Sequence, residues 1–143
     1  PMSAIDKAQI RVCDDHESAQ LWTRYVSKTK RHFMLLTADE WPSAIVENGD
    51  VFYAWLDDWN ENRLGGFIKM LSKLPIESDE KVYVCWMREQ CAQTTWQTFQ
   101  NNWINFLYED EGCIVVCESN LNSLVLSNGN SWHGLRPNRL SDN

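Results

Sequence analysis

The side chains that could carry covalent or metal chemistry in this 143-residue sequence are three histidines and five cysteines. They are His16, His32 and His133, and Cys13, Cys85, Cys91, Cys113 and Cys117. A nucleophilic thiol needs a histidine base, and Cys91 with His133 is a candidate pair outside any known cysteine signature. No C-x-x-C, H-E-x-x-H or calcium-loop spacing is present. The sequence therefore predicts no catalytic residues, no metal and no cofactor.

Clustered carboxylates are the more informative feature. Glu109, Asp110 and Glu111 follow the strongest predicted helix, residues 95–108, where they would face the negative end of its dipole. Each such placement costs about 0.3 to 1 kcal/mol. Because local conflicts of this kind are enriched at functional sites, the run is predicted to dock a basic partner. The alternative is a solvated loop whose charges are screened by water.

A second acidic group combines Asp57, Asp58 and Glu61 with Trp59. Carboxylates beside exposed aromatic side chains are typical of a protein-binding hot spot or of a sugar subsite. In the alternative interpretation Asp58 caps a helix and the tryptophans belong to the core. The sequence has eight tryptophans, more than a domain of this size is expected to bury. The candidates for surface exposure are Trp41, Trp59 and Trp132.

Net charge and composition limit the class of partner. Thirteen Lys and Arg against twenty Asp and Glu give a net charge of −7. Nucleic acid and anionic membranes are therefore unfavourable partners, whereas a basic protein would be attracted. No apolar run is long enough to span a membrane. Without a visible export signal, and with an odd number of cysteines in no framework spacing, reduced thiols in the cytoplasm are expected.

The periodicity predicts an α+β fold in which about three helices pack on a mainly antiparallel sheet with a C-terminal β-meander. Helices are predicted over 17–27, 58–74 and 95–108, and strands over 51–56, 81–87, 113–118, 123–127 and 131–135. Asp14 is the expected N-cap of the first helix. Strand 81–87 is apolar on both faces, which is typical of a central strand. Residues 1–143 are expected to form a single globular domain with loosely ordered ends at about 1–12 and 138–143.

The last predicted helix and the meander carry a family resemblance. Its motifs are Thr94-Thr95-Trp96, Phe99, Trp103, Asn105-Phe106-Leu107, Asp110-Glu111-Gly112, Ser127-Asn128-Gly129 and Gly134-Leu135-Arg136-Pro137. Over about residues 80–137 the sequence resembles a bacterial family of unknown function, domain of unknown function 2947. The resemblance implies a small cytosolic single-domain protein and carries over no catalytic residue. Arg136 within it is predicted to clamp a backbone turn, with a ligand site as the alternative.

The sequence is small, acidic and rich in aromatic residues, and it lacks a catalytic constellation. We therefore predict a non-enzymatic inhibitor of the immunity or antitoxin type, which neutralises a basic bacterial toxin or effector. The predicted partner-binding residues are Glu109, Asp110, Glu111, Asp57, Asp58, Glu61 and Trp59. The alternative is a small enzyme or ligand-binding domain with an aromatic-lined pocket. A third possibility is an oligomer with exposed tryptophans at its seam.

Overall fold

A computed structural model of the protein describes residues 2–107 and 112–140. Within these residues the strands are β1 (Arg11–Val12), β2 (Tyr53–Ala54), β3 (Lys81–Met87), β4 (Gln90–Thr95), β5 (Cys113–Cys117), β6 (Asn122–Ser127) and β7 (Asn130–Leu135). They form one sheet in the order β1-β4-β3-β5-β6-β7-β2, and every neighbouring pair is antiparallel. The described helices are α1 (Ala4–Ala8), α2 (Asp15–Tyr25), α3 (Trp41–Asn48), α4 (Leu56–Asn60), α5 (Gly65–Leu71) and α6 (Trp96–Asn101). The predicted α+β class is confirmed.

Helices cover both faces of the sheet, as the two-sided apolar pattern of β3 predicts. Val82 and Val84 point into one core, while Tyr83 and Cys85 point into the other. Alternate residues of a strand face opposite sides of its sheet, so a strand buried on both sides must be apolar throughout. β3 also lies between β4 and β5, which confirms its central position.

The first core lies between the sheet and helices α4, α5 and α6. Its largest side chains are Trp55, Phe67, Trp96, Phe99 and Trp103, each almost completely buried. Trp103 donates its indole N–H to the carbonyl oxygen of Leu64 at 3.0 Å and contacts Phe67 edge-on, with ring centroids 5.0 Å apart. Satisfying the indole N–H removes the main penalty for burying so large a side chain.

The second core lies between the sheet and helices α2 and α3. Helix α2 begins as predicted, because the side chain of Asp14 accepts a hydrogen bond from the backbone N–H of Glu17 at 2.8 Å. Trp22 on this helix donates to the carbonyl of Lys30 at 2.6 Å. Trp41, the first residue of α3, donates to the carbonyl of Tyr25 at 2.8 Å, so the two helices are joined by a buried hydrogen bond.

The C-terminal meander of β5, β6 and β7 is confirmed close to its predicted bounds. Asn128 and Gly129 join β6 to β7 with φ angles of 51° and 79°. Two residues with positive φ match the right-handed twist of a tight hairpin, and asparagine with glycine is the usual pair there. Cys113 and Cys117 lie on the same face of β5, as their spacing requires, and both are free thiols.

The predicted helix over 95–108 begins within one residue of its predicted start but ends much earlier than predicted. Its expected first turn is preceded by strand β4, and the cap is Thr95, whose hydroxyl accepts from the N–H of Thr98. The α-helix ends at Asn101, and a 3-10 helix, Trp103–Phe106, follows. The side-chain amide of Asn102 donates to the carbonyl of Thr98 at 3.0 Å, which ends the helical ladder from within.

Other predictions also differ from the structure. The helix expected over 58–74 is divided into α4 and α5, because Asn62 takes a left-handed φ of 57°. Helix α3 was not predicted; it begins with Trp41 and Pro42, since proline fits the first turn, where no backbone N–H donor is needed. The strand expected over 51–56 shortens to β2. The first twelve residues contribute α1 and β1.

Candidate functional site

The acidic group on α4 forms a small ion-pair network. Asp58 is half-buried and accepts hydrogen bonds from the hydroxyl of Tyr53 and from Nε of Arg63, the latter at 3.0 Å. Arg63 also pairs with Glu61. The hydrogen bond to Asp58 raises the pKa of Tyr53 above its ordinary value. Asp58 is therefore a structural carboxylate, whereas Asp57 is exposed and makes no ion pair among the described residues.

The tryptophans are less exposed than predicted. Six of the eight are buried, and the other two, Trp59 and Trp86, are half-buried. The expectation that Trp41 and Trp132 lie at the surface is wrong, because each keeps less than a tenth of its area exposed. Trp59 packs against the first core and leaves only part of its ring exposed. The sheet buries so many indoles because it has two cores.

The other predicted acidic group, Glu109, Asp110 and Glu111, lies outside the described residues. The α-helix predicted to extend to residue 108 ends at Asn101, and the 3-10 helix Trp103–Phe106 follows it. Gly112, which follows this group in the chain, lies against the backbone of β6, where a Cβ atom would overlap the carbonyl oxygen of Leu126.

The acidic group that was predicted around α4 is part of a larger acidic edge of the sheet. Residues 32–62 contain seven carboxylates and no lysine or arginine, and they form α3, β2 and α4. β2 is the last strand of the sheet. We define the acidic edge as the carboxylates that flank β2 in the chain: Glu47, Asp50, Asp57, Asp58 and Glu61. A count of charge along the chain would have found it.

The candidate nucleophile and base are far apart. Cys91 lies on β4 and His133 on β7, with three strands between them, which places them about 19 Å apart or more. His133 contacts Asn122 through Nε2 at 2.9 Å, and burial lowers its pKa. Cys91 is buried and receives no imidazole contact. The geometry does not support thiol catalysis by this pair.

All five thiols are buried, and burial disfavours the reactive thiolate. Burial raises the pKa of Cys13 to about 11 and that of Cys117 to about 12. Burial also raises the pKa of Cys113, and the hydrogen bond to Cys91 together with burial raises that of Cys85.

We therefore expect the native protein at pH 8 to react with a thiol reagent about 100-fold or more slowly than free cysteine does. Release of the coloured thiolate from an aromatic disulfide reagent measures this rate, and guanidinium should expose all five thiols. Prompt modification of a single thiol in the folded protein would contradict the assignment of these cysteines to the core.

A cavity of about 420 Å³ lies beneath the C-terminal end of α2. Arg136, one of its walls, is only 8 % exposed and donates from Nη2 to the carbonyls of Cys117 at 2.8 Å and Asn120 at 3.0 Å. Its guanidinium lies over the ring of Tyr25, 4.8 Å from the centroid. These contacts confirm the predicted clamp on the β5–β6 turn. Burial lowers the pKa of Arg136.

Within residues 2–107 and 112–140, no three histidine, cysteine or acidic side chains are grouped so that they could hold a metal ion. None of the helices described there combines the length and the apolar character needed to cross a bilayer.

The fold and site define an α+β domain with a two-sided antiparallel sheet, an acidic edge and an arginine-lined cavity. The chain belongs to the family "Protein of unknown function (DUF2947)", which it matches over residues 1–134. This confirms the family resemblance predicted from residues 80–137 and extends it to nearly the whole chain. No curated protein and no solved structure matches the chain.

Proposed function

We propose that this protein is a protein-binding inhibitor of the immunity or antitoxin type, which acts in the cytoplasm by covering the cationic surface of a basic toxin or effector. It has no catalytic role of its own in this proposal. The acidic edge, with Trp59 beside it, is the contact surface, and Glu109, Asp110 and Glu111 form a second contact.

The observation that carries the proposal is that three of the five carboxylates of the acidic edge have no ion pair among the described residues. Arg63 pairs with Asp58 and Glu61. Glu47, Asp50 and Asp57 are exposed and have no ion pair among the described residues. Carboxylates gathered without cations raise the local negative potential, which an oppositely charged partner relieves on binding.

Exposed carboxylates of this kind mainly affect the association rate constant of the complex. The carboxylates of the acidic edge attract a basic partner over a distance of about 10 Å at moderate salt, and this attraction accelerates association. A nuclease or another toxin with a basic substrate cleft is the chemical class of partner that such a surface fits. The partner candidates are the products of the genes beside the gene for this protein.

Neutralising two unpaired carboxylates, Asp50→Asn with Asp57→Asn, is expected to lower the association rate constant about threefold to tenfold at low salt. The difference should shrink as salt is added, because screening removes the long-range attraction. Stopped-flow or surface plasmon resonance with the purified partner measures both effects.

The matched control removes two charges elsewhere, at Glu77 and Asp79, which are exposed in the loop before β3. E77Q/D79N should associate at nearly the wild-type rate. Equal rates for both double variants would overturn the role of the acidic edge. A separate variant with alanine at Glu109, Asp110 and Glu111 tests the second contact, and wild-type binding by it would eliminate those residues.

The alternative function is a small-molecule site lined by aromatic residues, and one cleft with such a lining lies beside β3. Phe33 and Trp86 line it together with His32, and its volume is about 210 Å³. Ligand pockets usually measure about 300 to 1,000 Å³. The geometry therefore supports surface binding better than a ligand site at this cleft.

A further inference from the structure

Arg136 has more hydrogen-bond donors than the fold uses. A guanidinium carries five N–H groups, and the turn clamp occupies the two on Nη2. Nε is fully buried and has no partner, and no carboxylate pairs with this arginine among the described residues. A buried charge without an anion is costly, and buried donors are nearly always satisfied. The two N–H groups of Nη1 also have no partner among the described residues and are not fully buried, so an acceptor from outside the chain can bind there.

The cavity beside Arg136 gathers two further arginines. Arg24, in the last turn of α2, and Arg139, after β7, are both exposed and line the same space. The guanidinium of Arg24 lies 5.2 Å from the ring centroid of Tyr25. Neither Arg24 nor Arg139 makes an ion pair with a described residue. Three arginines thus converge in a protein whose net charge is −7.

The acidic side chain on the cavity wall does not neutralise them. Glu118 accepts a hydrogen bond from the hydroxyl of Tyr83 and lies 3.8 Å from Nζ of Lys81. The three guanidinium groups and this one carboxylate leave a local charge of about two positive units. A phosphate monoester carries about −1.5 to −2 charges at neutral pH, together with several strong acceptor oxygens.

We propose that this cavity is a binding site for the phosphate group of a small phosphate monoester. Arg136 supplies the buried, oriented donors, while Arg24 and Arg139 close on the phosphate from the solvent side. The fixed fork of a guanidinium matches two oxygens of a phosphate. A volume of about 420 Å³ lies within the range of small-molecule sites and leaves room for the organic part of the ligand.

This site is independent of the proposed inhibitor function. It has the opposite charge to the acidic edge, and it is built from α2, the β5–β6 turn and the residues after β7. Loss of toxin binding would leave it untouched, and loss of phosphate binding would leave the acidic edge untouched.

The test is a titration of the ¹⁵N-labelled full chain, followed by NMR of the arginine Nε–H resonances. The probes are inorganic phosphate, phenyl phosphate and acetate, at constant ionic strength set by chloride. Both phosphates are expected to shift the Arg136 Nε–H resonance saturably. Phenyl phosphate should bind at least as tightly as inorganic phosphate, and acetate more weakly. A resonance that never saturates, or equal binding of acetate, would overturn the site.

The double variant Arg24→Gln with Arg139→Gln keeps the buried clamp and should keep the wild-type melting temperature. Its affinity for phenyl phosphate is expected to fall about tenfold or more, because two charge-assisted contacts are lost. Lys69→Gln with Lys73→Gln removes the same charge from exposed positions on and just after α5 and should bind like wild type. Equal losses in both double variants would show non-specific attraction and sink the proposal.

Discussion

Replacing Trp55 with alanine is expected to lower the free energy of unfolding by about 3 to 5 kcal/mol. Trp55 is fully buried in the first core, and its indole N–H donates to the carbonyl of Asn130 at 2.7 Å. Its own backbone N–H donates to the carbonyl of Gly129 at 2.7 Å. Alanine would leave a cavity and an unsatisfied carbonyl at the junction of β2, α4 and β7. Urea denaturation monitored by circular dichroism measures the loss.

Two further variants separate the causes. Trp55→Phe keeps most of the volume and removes the hydrogen bond, so it should cost about 1 to 3 kcal/mol. Trp59→Ala truncates a half-buried tryptophan of α4 itself and should cost clearly less than Trp55→Ala. Similar losses at the two tryptophans would contradict the assignment of Trp55 as the main core side chain at the junction of β2, α4 and β7.

The elements that could be predicted from the sequence are those whose pattern has one physical solution. β3 is apolar on both faces, and only a strand covered on both sides buries it. The hairpin at Asn128 and Gly129 is specified locally, since few other residue pairs take two positive φ angles. The start of α2 is equally local, because Asp14 caps it through its own side chain.

The elements that could not be predicted from the sequence depend on tertiary contacts. β4 contains glutamine and threonine and lacks the β-branched apolar pattern, so its pairing with β3 fixes it. The aromatic spacing after Thr95 fits an α-helix, but the core accepts the same rings from a short helix followed by a 3-10 turn. What decides between them is the buried amide of Asn102, which also reaches Asp6 from the other end of the sequence.

The features of the candidate sites also fall into those that the sequence predicts locally and those that depend on tertiary contacts. The clamp of Arg136 was predicted from its short motif, and its bonds to two turn carbonyls confirm it. The sequence could not show that this arginine keeps N–H donors without a partner. The residues that surround its guanidinium come from distant segments of the chain, and none of those described pairs a carboxylate with it. The acidic edge was predicted in part, through Asp57 and Glu61. Its extension to Asp50 depends on the placement of β2 at the end of the sheet.

The second large effect is expected at Gly112, where alanine should lower the free energy of unfolding by about 3 kcal/mol or more. A Cβ atom here would overlap the carbonyl oxygen of Leu126 and stand 2.9 Å from Cα of Ser127. These are backbone atoms of β6, which is hydrogen-bonded to β5 on one side and to β7 on the other. Because neither neighbour can move aside alone, the strain must break sheet pairing.

Two other glycines provide the comparison. At Gly65, in the first turn of α5, an added Cβ meets no atom within 4 Å, so Gly65→Ala should be neutral or stabilise the fold by about 0.4 to 1 kcal/mol. At Gly66 the added atom would crowd the flexible end of Tyr53, which gives an intermediate loss. Thermal unfolding of the three variants should therefore rank Gly65→Ala first, Gly66→Ala second and Gly112→Ala last. A stable Gly112→Ala protein would mean that β5 and β6 separate more easily than their register implies.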